Sequence, residues 1–423
     1  MATNNSKKSN SKSTTKKASR SSKKQSTPNY QKQAVKAVKK AAKKNPKVFL
    51  IILLVAVVVI GIGVAVYFLF LKDKLSPKGD TSSQEPHSHQ VVDTGISFNF
   101  LELGNKYTGD STYIKAGDVD ILIDAGSRKD SATTIKNYVT QYCTDGTLEY
   151  VIATHAHQDH IAGFVGSKAN PGIFDTFKID TLIDFAQITQ KLEDAPSQIY
   201  TDYVSKRDAK LESGDIAHHY TALQCVSESD GAKKEYTLAE GITMTILDQA
   251  YYHEKSKDEN DHSVCTLFTQ GDNHYLLTGD LEEKGEKSLV ETNPSLPHCQ
   301  LFKGGHHGSY TASNDVLLDK ITPETVCICC CCGTDEYDSK HANPLHWFPA
   351  QEAIDRMAKH TDKIYATTLM VNNETGEYTS MNGNIVFKCE DGVNYTVTGS
   401  NNSTILKETD WFKANRTWPE GGK

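Results

Sequence analysis

Residues 1–47 contain no aspartate or glutamate, and residues 48–71 contain no charged residue at all. The first absence leaves fifteen Lys and Arg unopposed, a solvated basic tail rather than a folded unit of ordinary composition. The remaining 31 of the 46 basic residues face all 53 acids, so residues 48–423 form an acidic body of net charge −22. Proline is scarce, 12 in 423 residues, and aromatics reach 9%, which excludes a collagen-like or wholly disordered chain. A phosphate-cradling GxxxxGKS loop, a GxSxG nucleophile turn and internal repeats are all missing. About 350 residues remain after the tail and the apolar run, enough for one large domain or two ordinary ones.

The apolar run, VFLIILLVAVVVIGIGVAVYFLFL at 48–71, would span roughly 36 Å as a helix and is expected to cross a bilayer. A cleavable signal peptide would have a shorter apolar region and a much shorter leader. Fifteen basic residues before the run, against Lys72, Lys74 and Lys78 soon after it, place the N-terminus in the cytoplasm and the body outside the cell membrane. The tail could contact nucleic acid, but a topology signal resting against anionic headgroups is the favoured reading. Residues 72–95 read as a polar tether, in which His87 and His89 have no specific role.

Ten cysteines in an exported domain would suggest disulfides. Five of them, however, fall at Cys327, Cys329, Cys330, Cys331 and Cys332 in one apolar, strand-like run. Neighbours on a strand point to opposite faces and do not pair easily, so these cysteines are expected as small buried hydrophobes in a central strand. Across the body, short β-type runs come in two batches. Helical patterns lie between them at SATTIKNYVTQY, LEEKGEKSLVE and AQEAIDRMAKH, which predicts two sheets with helices outside. Residues 166–240 interrupt the strand rhythm and read as an insertion within a domain of residues 96–400; residues 401–423 read as a C-terminal extension. His218, His219 and His253 are expected at the surface.

The chemistry concentrates in ATHAHQDHIAG, where the apolar strand EYVIAT runs directly into His155, His157, Asp159 and His160. His155 and His157, two apart in an extended segment, point the same way and can share one metal ion, while Asp159 and His160 can turn toward a second beside it. One loop rarely completes two coordination spheres. HYLLTGDLEE offers Asp280 at a strand end, placed to bridge two cations or to cap the helix that follows. LFKGGHHGS ends another strand in His306 and His307, followed by Gly308 and Ser309. One of the two histidines is expected to bind metal while the other, or Ser309, contacts substrate.

Strand-THAHQDH, strand-LLTGD and strand-KGGHHGS, preceded by ILIDAG with Asp124, resemble the metallo-β-lactamase superfamily. ISFNFLELGNKYTGDSTYIKAGDVDILIDAG and the KxxHHGS motif resemble more closely the C-terminal hydrolase domain of the ComEC/Rec2 competence proteins, over about residues 95–400. The resemblance implies an α/β fold, a four-layer αββα sandwich, with two divalent ions, zinc or manganese, at one edge and a bridging water acting as hydroxide near neutral pH. It implies His155, His157, Asp159, His160, Asp280 and one of His306 and His307 as ligands, with Asp124 orienting them from behind. His262 in ENDHSVC is a candidate for one further ligand, against an ordinary loop histidine. The tight FLDVGQGDS turn of such proteins is here FLELGNKYTGDS, with Glu102 where the aspartate stands and about three extra residues before Asp110.

The expected function is a membrane-anchored, outward-facing phosphodiesterase acting on extracellular nucleic acid or a cell-envelope phosphodiester. Asp159, His306, His307 and Ser309 would meet the reacting phosphoryl group. The acidic body weighs against strong nonspecific nucleic-acid binding. The alternatives are an ester, lactone or lactam hydrolase with the same ions, and a catalytically silent envelope-binding protein.

Overall fold

The computed structural model describes residues 95–335 and 343–423. The basic tail, the expected span at 48–71 and the tether up to residue 94 lie outside them. Among the described residues no helix is long and apolar enough to cross a membrane.

In chain order the strands are β1 (Ile96–Phe100), β2 (Thr112–Ala116), β3 (Val119–Ile123), β4 (Thr147–Ile152), β5 (Lys178–Asp184), β6 (Ile216–Thr221), β7 (Glu235–Ala239) and β8 (Ile242–Leu247). The second half adds β9 (Cys265–Gln270), β10 (Asn273–Leu277), β11 (Leu301–Lys303), β12 (Val326–Cys332), β13 (Ile364–Asn372), β14 (Glu377–Ser380), β15 (Ile385–Cys389) and β16 (Tyr395–Gly399). They form two eight-stranded sheets, ordered β16-β15-β1-β2-β3-β4-β5-β6 and β14-β13-β12-β11-β10-β9-β8-β7. In each sheet an antiparallel meander passes into a parallel run, β3 to β6 in one and β10 to β13 in the other. The parallel strand VCICCCC is apolar and buried on both faces.

The sheets pack face to face through an aromatic cluster. Phe98 on β1 meets Phe268 on β9 at 5.2 Å and Tyr275 on β10 at 4.9 Å between ring centroids, and Phe387 on β15 meets Tyr275 at 5.5 Å. Helices cover the outer faces. Ser131–Val139 buries Ile135 and Val139, one turn apart, against the first sheet; Glu283–Thr292, Asp315–Ile321 and Gln351–Met357 bury Leu289, Leu318 and Ile354 against the second. The cysteine strand shows the layering residue by residue. Cys327 and Cys329 join the core between the sheets, while Val326, Ile328, Cys330 and Cys332 join the core beneath the helices. All ten cysteines are free and buried.

Residues 166–240, read from the sequence as an insertion, build into the sheets. They supply β5 and β6 to the parallel run of the first and β7 to the edge of the second. They read as irregular because KIDTLID and IAHHYT mix exposed and buried positions, with the long polar helix Gln198–Ser213 between them. That helix is delimited by conventional signals, a Ser197 side chain accepting from the Tyr200 amide and Gly214 in the left-handed region. Residues 401–423 are likewise packed, burying Leu406, Trp411 and Phe412 in the second core.

One buried carboxyl in these outer layers carries a pH consequence. Glu286, in the helix Glu283–Thr292, accepts the Ser313 amide at 2.6 Å and the Asn314 amide and side-chain amide at 2.9 and 2.8 Å. Burial nevertheless outweighs those bonds and pushes its pKa up to about 7. The folded state therefore binds this proton more tightly than the unfolded chain. Its contribution to stability is fully present below about pH 4.5, falls by about 3 kcal/mol as pH rises to about 7, and then levels off. Urea unfolding of the parent and Glu286→Gln across pH 5 to 8 checks this: the variant should lose that slope.

Candidate metal centre

The carboxyl ends of the parallel strands β3, β4, β10 and β11 meet at one edge of the sandwich, where α/β sheets characteristically place their ligands. Each contributes a turn. β3 leads to Asp124, held at φ 59°; β4 leads into the 154–160 loop; β10 leads to Asp280; and β11 leads to His306 and His307, at φ 46° and 54°. Left-handed backbone is uncommon for such residues, and three cases in one site mark a conformation imposed by the surrounding structure. Close packing adds to this: a Cβ on Gly126 would lie 1.4 Å from the Asp159 carbonyl oxygen, so glycine lets the chain after β3 press against the histidine loop.

Asp159, His160, Asp280 and His307 offer donor atoms that all lie within 4.8 Å of one another. His160 Nε2 is 2.9 Å from Asp280 Oδ2, and His307 Nε2 is 3.1 Å from the same oxygen and 3.3 Å from Asp159 Oδ2. Behind them Asp124 accepts the Thr154 amide and hydroxyl, both at 2.8 Å, and lies 2.8 Å from His160 Nδ1. His307 Nδ1 donates to the Cys329 carbonyl at 2.9 Å. Both rings are thus oriented with Nε2 into the cluster. Beside it, His155 Nε2 and His157 Nδ1 approach to 3.1 Å. Two nitrogens sharing one tetrahedral ion at about 2.0–2.1 Å each would stand about 3.3 Å apart. The Asp280 Oδ1 atom is buried and accepts no hydrogen bond. The donor set of imidazoles and carboxylates suits zinc or manganese, and these residues fit divalent ions.

The electrostatics follow from burial and proximity. Burial acts against a charge on His160, but Asp280 and Asp124 raise its pKa well above the usual imidazole value. His307 behaves in the same way through Asp280 and Asp110. Burial would likewise push the Asp280 carboxyl up, yet His160 and His307 hold it well below the usual carboxylate range. His155 moves the other way, lowered by burial and by the neighbouring His160 and His157. Metal uptake at His160 and His307 would therefore compete with protons.

The structure separates the two adjacent histidines. His307 joins the cluster, whereas His306 Nδ1 lies 3.3 Å from Glu282 and 3.1 Å from the Thr311 hydroxyl, its Nε2 4.0 Å from Asp280. Ser309 is buried against the Thr311 hydroxyl at 3.0 Å rather than in the cluster. His262 is also turned to other partners. Its Nε2 accepts the Ser256 amide at 3.0 Å and its Nδ1 faces Glu259 at 3.5 Å, so the nearby position on the cluster falls to Ser263, whose hydroxyl reaches His155 Nδ1 at 3.4 Å. Asp280 does not cap the following helix, which begins after Glu282. His253 is exposed, and His219 Nε2 lies 2.9 Å from Asp184 Oδ1.

Sequence reasoning missed Asp110 and Lys303. Lys303, only 2% exposed, reaches Asp110 at 2.5 Å and the Gly279 carbonyl at 3.1 Å, and stands 3.8 Å from Asp280 Oδ1. Burial would lower the lysine pKa, but Asp110 and Asp280 raise it. Asp110 also faces His307 Nδ1 at 3.3 Å. A lysine closing an apolar strand directly before GGHH was the available signal; its distant partner was not visible.

Residues 104–172 match the family described as Metallo-beta-lactamase superfamily. Competence protein ComA of Neisseria gonorrhoeae is 32% identical over 115 residues, 27% of this chain and 15% of that protein. Recombination protein 2 of Haemophilus influenzae is 30% identical over 114 residues, 27% of this chain and 13% of that one. ComE operon protein 3 of Bacillus subtilis is 25% identical over 109 residues, 26% and 13% respectively. The matched stretches thus span 13–15% of the length of these relatives.

Removing one member of a buried ion pair leaves the other charge uncompensated. Lys303→Met should lower the free energy of unfolding by about 3–5 kcal/mol. Adding Asp110→Asn should recover most of that loss, and denaturant unfolding of the double-mutant cycle is the check.

Proposed function

We propose that this ComEC-like protein of the metallo-β-lactamase superfamily is a metal-dependent phosphodiesterase. The observation that carries the reading is the pairing of two donor groups at one sheet edge, His155 with His157 and Asp159, His160 and His307 around Asp280. Bound there, two divalent ions would polarise a phosphoryl oxygen and bring a water molecule to ionise near neutral pH. The chain's own residues do the rest. Asp124 fixes the His160 ring through Nδ1, the Cys329 carbonyl fixes His307, and Lys303 holds Asp110 and the end of β10 in register. His157 and Asp159 are the partly exposed members of the group and form its open side.

That side gives onto a cleft lined by Lys106, Tyr107, Thr108, Arg128, Thr334 and Phe348 among others. Two cations, Lys106 and Arg128, stand in that lining beside the carboxylates of Asp159 and Asp335, and their charge supports an anionic diester over an apolar ester or lactone. The substrate is nucleic acid or a phosphodiester of the cell envelope. With the apolar run at 48–71 as a membrane anchor and the basic tail inside, the hydrolase domain would work outside the cell membrane.

The full-length chain in detergent, supplied with zinc or manganese, should hydrolyse bis(4-nitrophenyl) phosphate, and Asp280→Ala should lower kcat/KM by at least about a hundredfold. A folded, metal-loaded protein that leaves the diester intact but cleaves a nitrophenyl ester would move the assignment to ester hydrolysis. Inactivity toward both, with metal tightly held, would make it a binding protein.

A further inference from the structure

Packing accounts for the burial of the cysteine strand but not for the approach of two of its sulfurs. Side chains two residues apart on a regular strand stand about 6–7 Å apart. Cys330 Sγ and Cys332 Sγ are separated by 3.6 Å, and both residues are buried. The pairing of β12 with β13 shifts register between Ile328 and Cys331, an irregularity of the kind that bends a strand and re-aims its side chains. There the Cys330 amide donates to the Thr367 hydroxyl at 3.2 Å, and that hydroxyl donates to the Cys330 carbonyl at 2.9 Å. A third sulfur comes from a distant segment, with Met381 Sδ lying 3.8 Å from Cys332 Sγ. Met381 is held in place through its backbone. Its amide donates to the Thr367 carbonyl at 2.9 Å, and its carbonyl accepts the Asn401 and Asn402 side-chain amides at 2.8 and 2.7 Å. A cation stands nearby. The Arg416 guanidinium packs 5.2 Å from the Trp411 ring centroid and donates to the Pro349 and Trp347 carbonyls at 3.0 and 2.8 Å. Burial lowers its pKa, and Cys332 opposes that shift more than Glu352 does. Burial, and then the neighbouring Cys332, push the Cys330 thiol well up, so its thiolate needs a cation beside it to form.

We propose that Cys330, Cys332 and Met381 form a binding site for a soft monovalent metal ion, copper(I), separate from the donor cluster at the sheet edge. Sulfurs sharing one ion at about 2.3 Å, the zinc–thiolate length, would stand about 3.8–4.0 Å apart, so the three atoms need little movement. Thiolates with a thioether select copper(I), whereas structural zinc sites are built from four cysteine or histidine donors. A disulfide would join the two thiols and leave Met381 without a part. As the ion binds, each thiol releases its proton to water and no atom changes oxidation state. Two thiolates and one copper(I) carry a single negative charge, which Arg416 is placed to offset.

The test titrates the full-length chain in detergent, supplied with zinc and kept reduced under nitrogen, with copper(I) held by bicinchoninate. The protein should take one equivalent from the chelator, and X-ray absorption at the copper edge should show a first shell of sulfur at about 2.3 Å. Cys330→Ala and Cys332→Ala should each abolish this equivalent. Met381→Leu, a swap of nearly equal volume, should weaken it at least about tenfold. Asp280→Ala should leave it unchanged. Copper that stays with the chelator, a first shell of nitrogen or oxygen, or uptake indifferent to the three sulfur variants overturns the proposal. So does displacement of the copper by zinc at equal concentration, or loss of the equivalent in Asp280→Ala, which would assign it to the sheet edge. The parent spectrum and Met381→Leu decide the matter should a cysteine variant fail to fold.

Discussion

Everything at the working edge of this molecule depends on one arrangement of buried charge, the Asp280 carboxylate between imidazoles on one side and a lysine on the other. Oδ2 faces His160 and His307, and Oδ1 lies 3.8 Å from Lys303, which is itself clasped by Asp110. An isolated carboxylate at this depth would be costly, and so would an isolated ammonium. Together they compensate one another and tie β10, β11, the loop before β2 and the 154–160 loop into one network. The two sheets that carry these elements are joined elsewhere by aromatic packing around Phe98 and Tyr275. At the edge the joint is electrostatic, and it is there that cations would find a ready set of donors.

The same network explains the orientation of the ligand candidates. His160 is held by Asp124, His307 by a backbone carbonyl of the cysteine strand, and both send Nε2 inward. The cysteine-rich β12 thereby gains a use beyond packing, since its buried backbone at Cys329 positions His307, a candidate ligand. Its side chains are divided between two cores. Left-handed backbone at Asp124, His306 and His307 is the conformational counterpart of this charge arrangement, tolerated because packing on all sides fixes it.

Several features were readable along the chain because they are local. A strand that runs into His155, His157, Asp159 and His160 brings four donors to one strand end whatever the rest of the fold does. Alternation on VCICCCC likewise predicts buried cysteines without knowledge of their neighbours. Residues 166–240 were harder. Their strands lie toward the outer part of a parallel run, half exposed, so the apolar signal is diluted by His218, His219 and the polar helix between them.

The sequence by itself determined the donor residues, the strand ends that present them and the burial of the cysteine strand, because each follows from spacing within a few residues. Tertiary structure decided which of two adjacent histidines enters the cluster. With both at positive φ, His307 points to Asp280 and His306 to Glu282, a choice no spacing rule contains. It also decided that His262 faces Glu259 and that Ser263 takes the position beside His155. Lys303 and Asp110, 193 positions apart, and the rim at Tyr107 and Arg128 exist only once distant segments are folded together. Burial and long-range charge pairing set those partnerships, and both are properties of the packed chain.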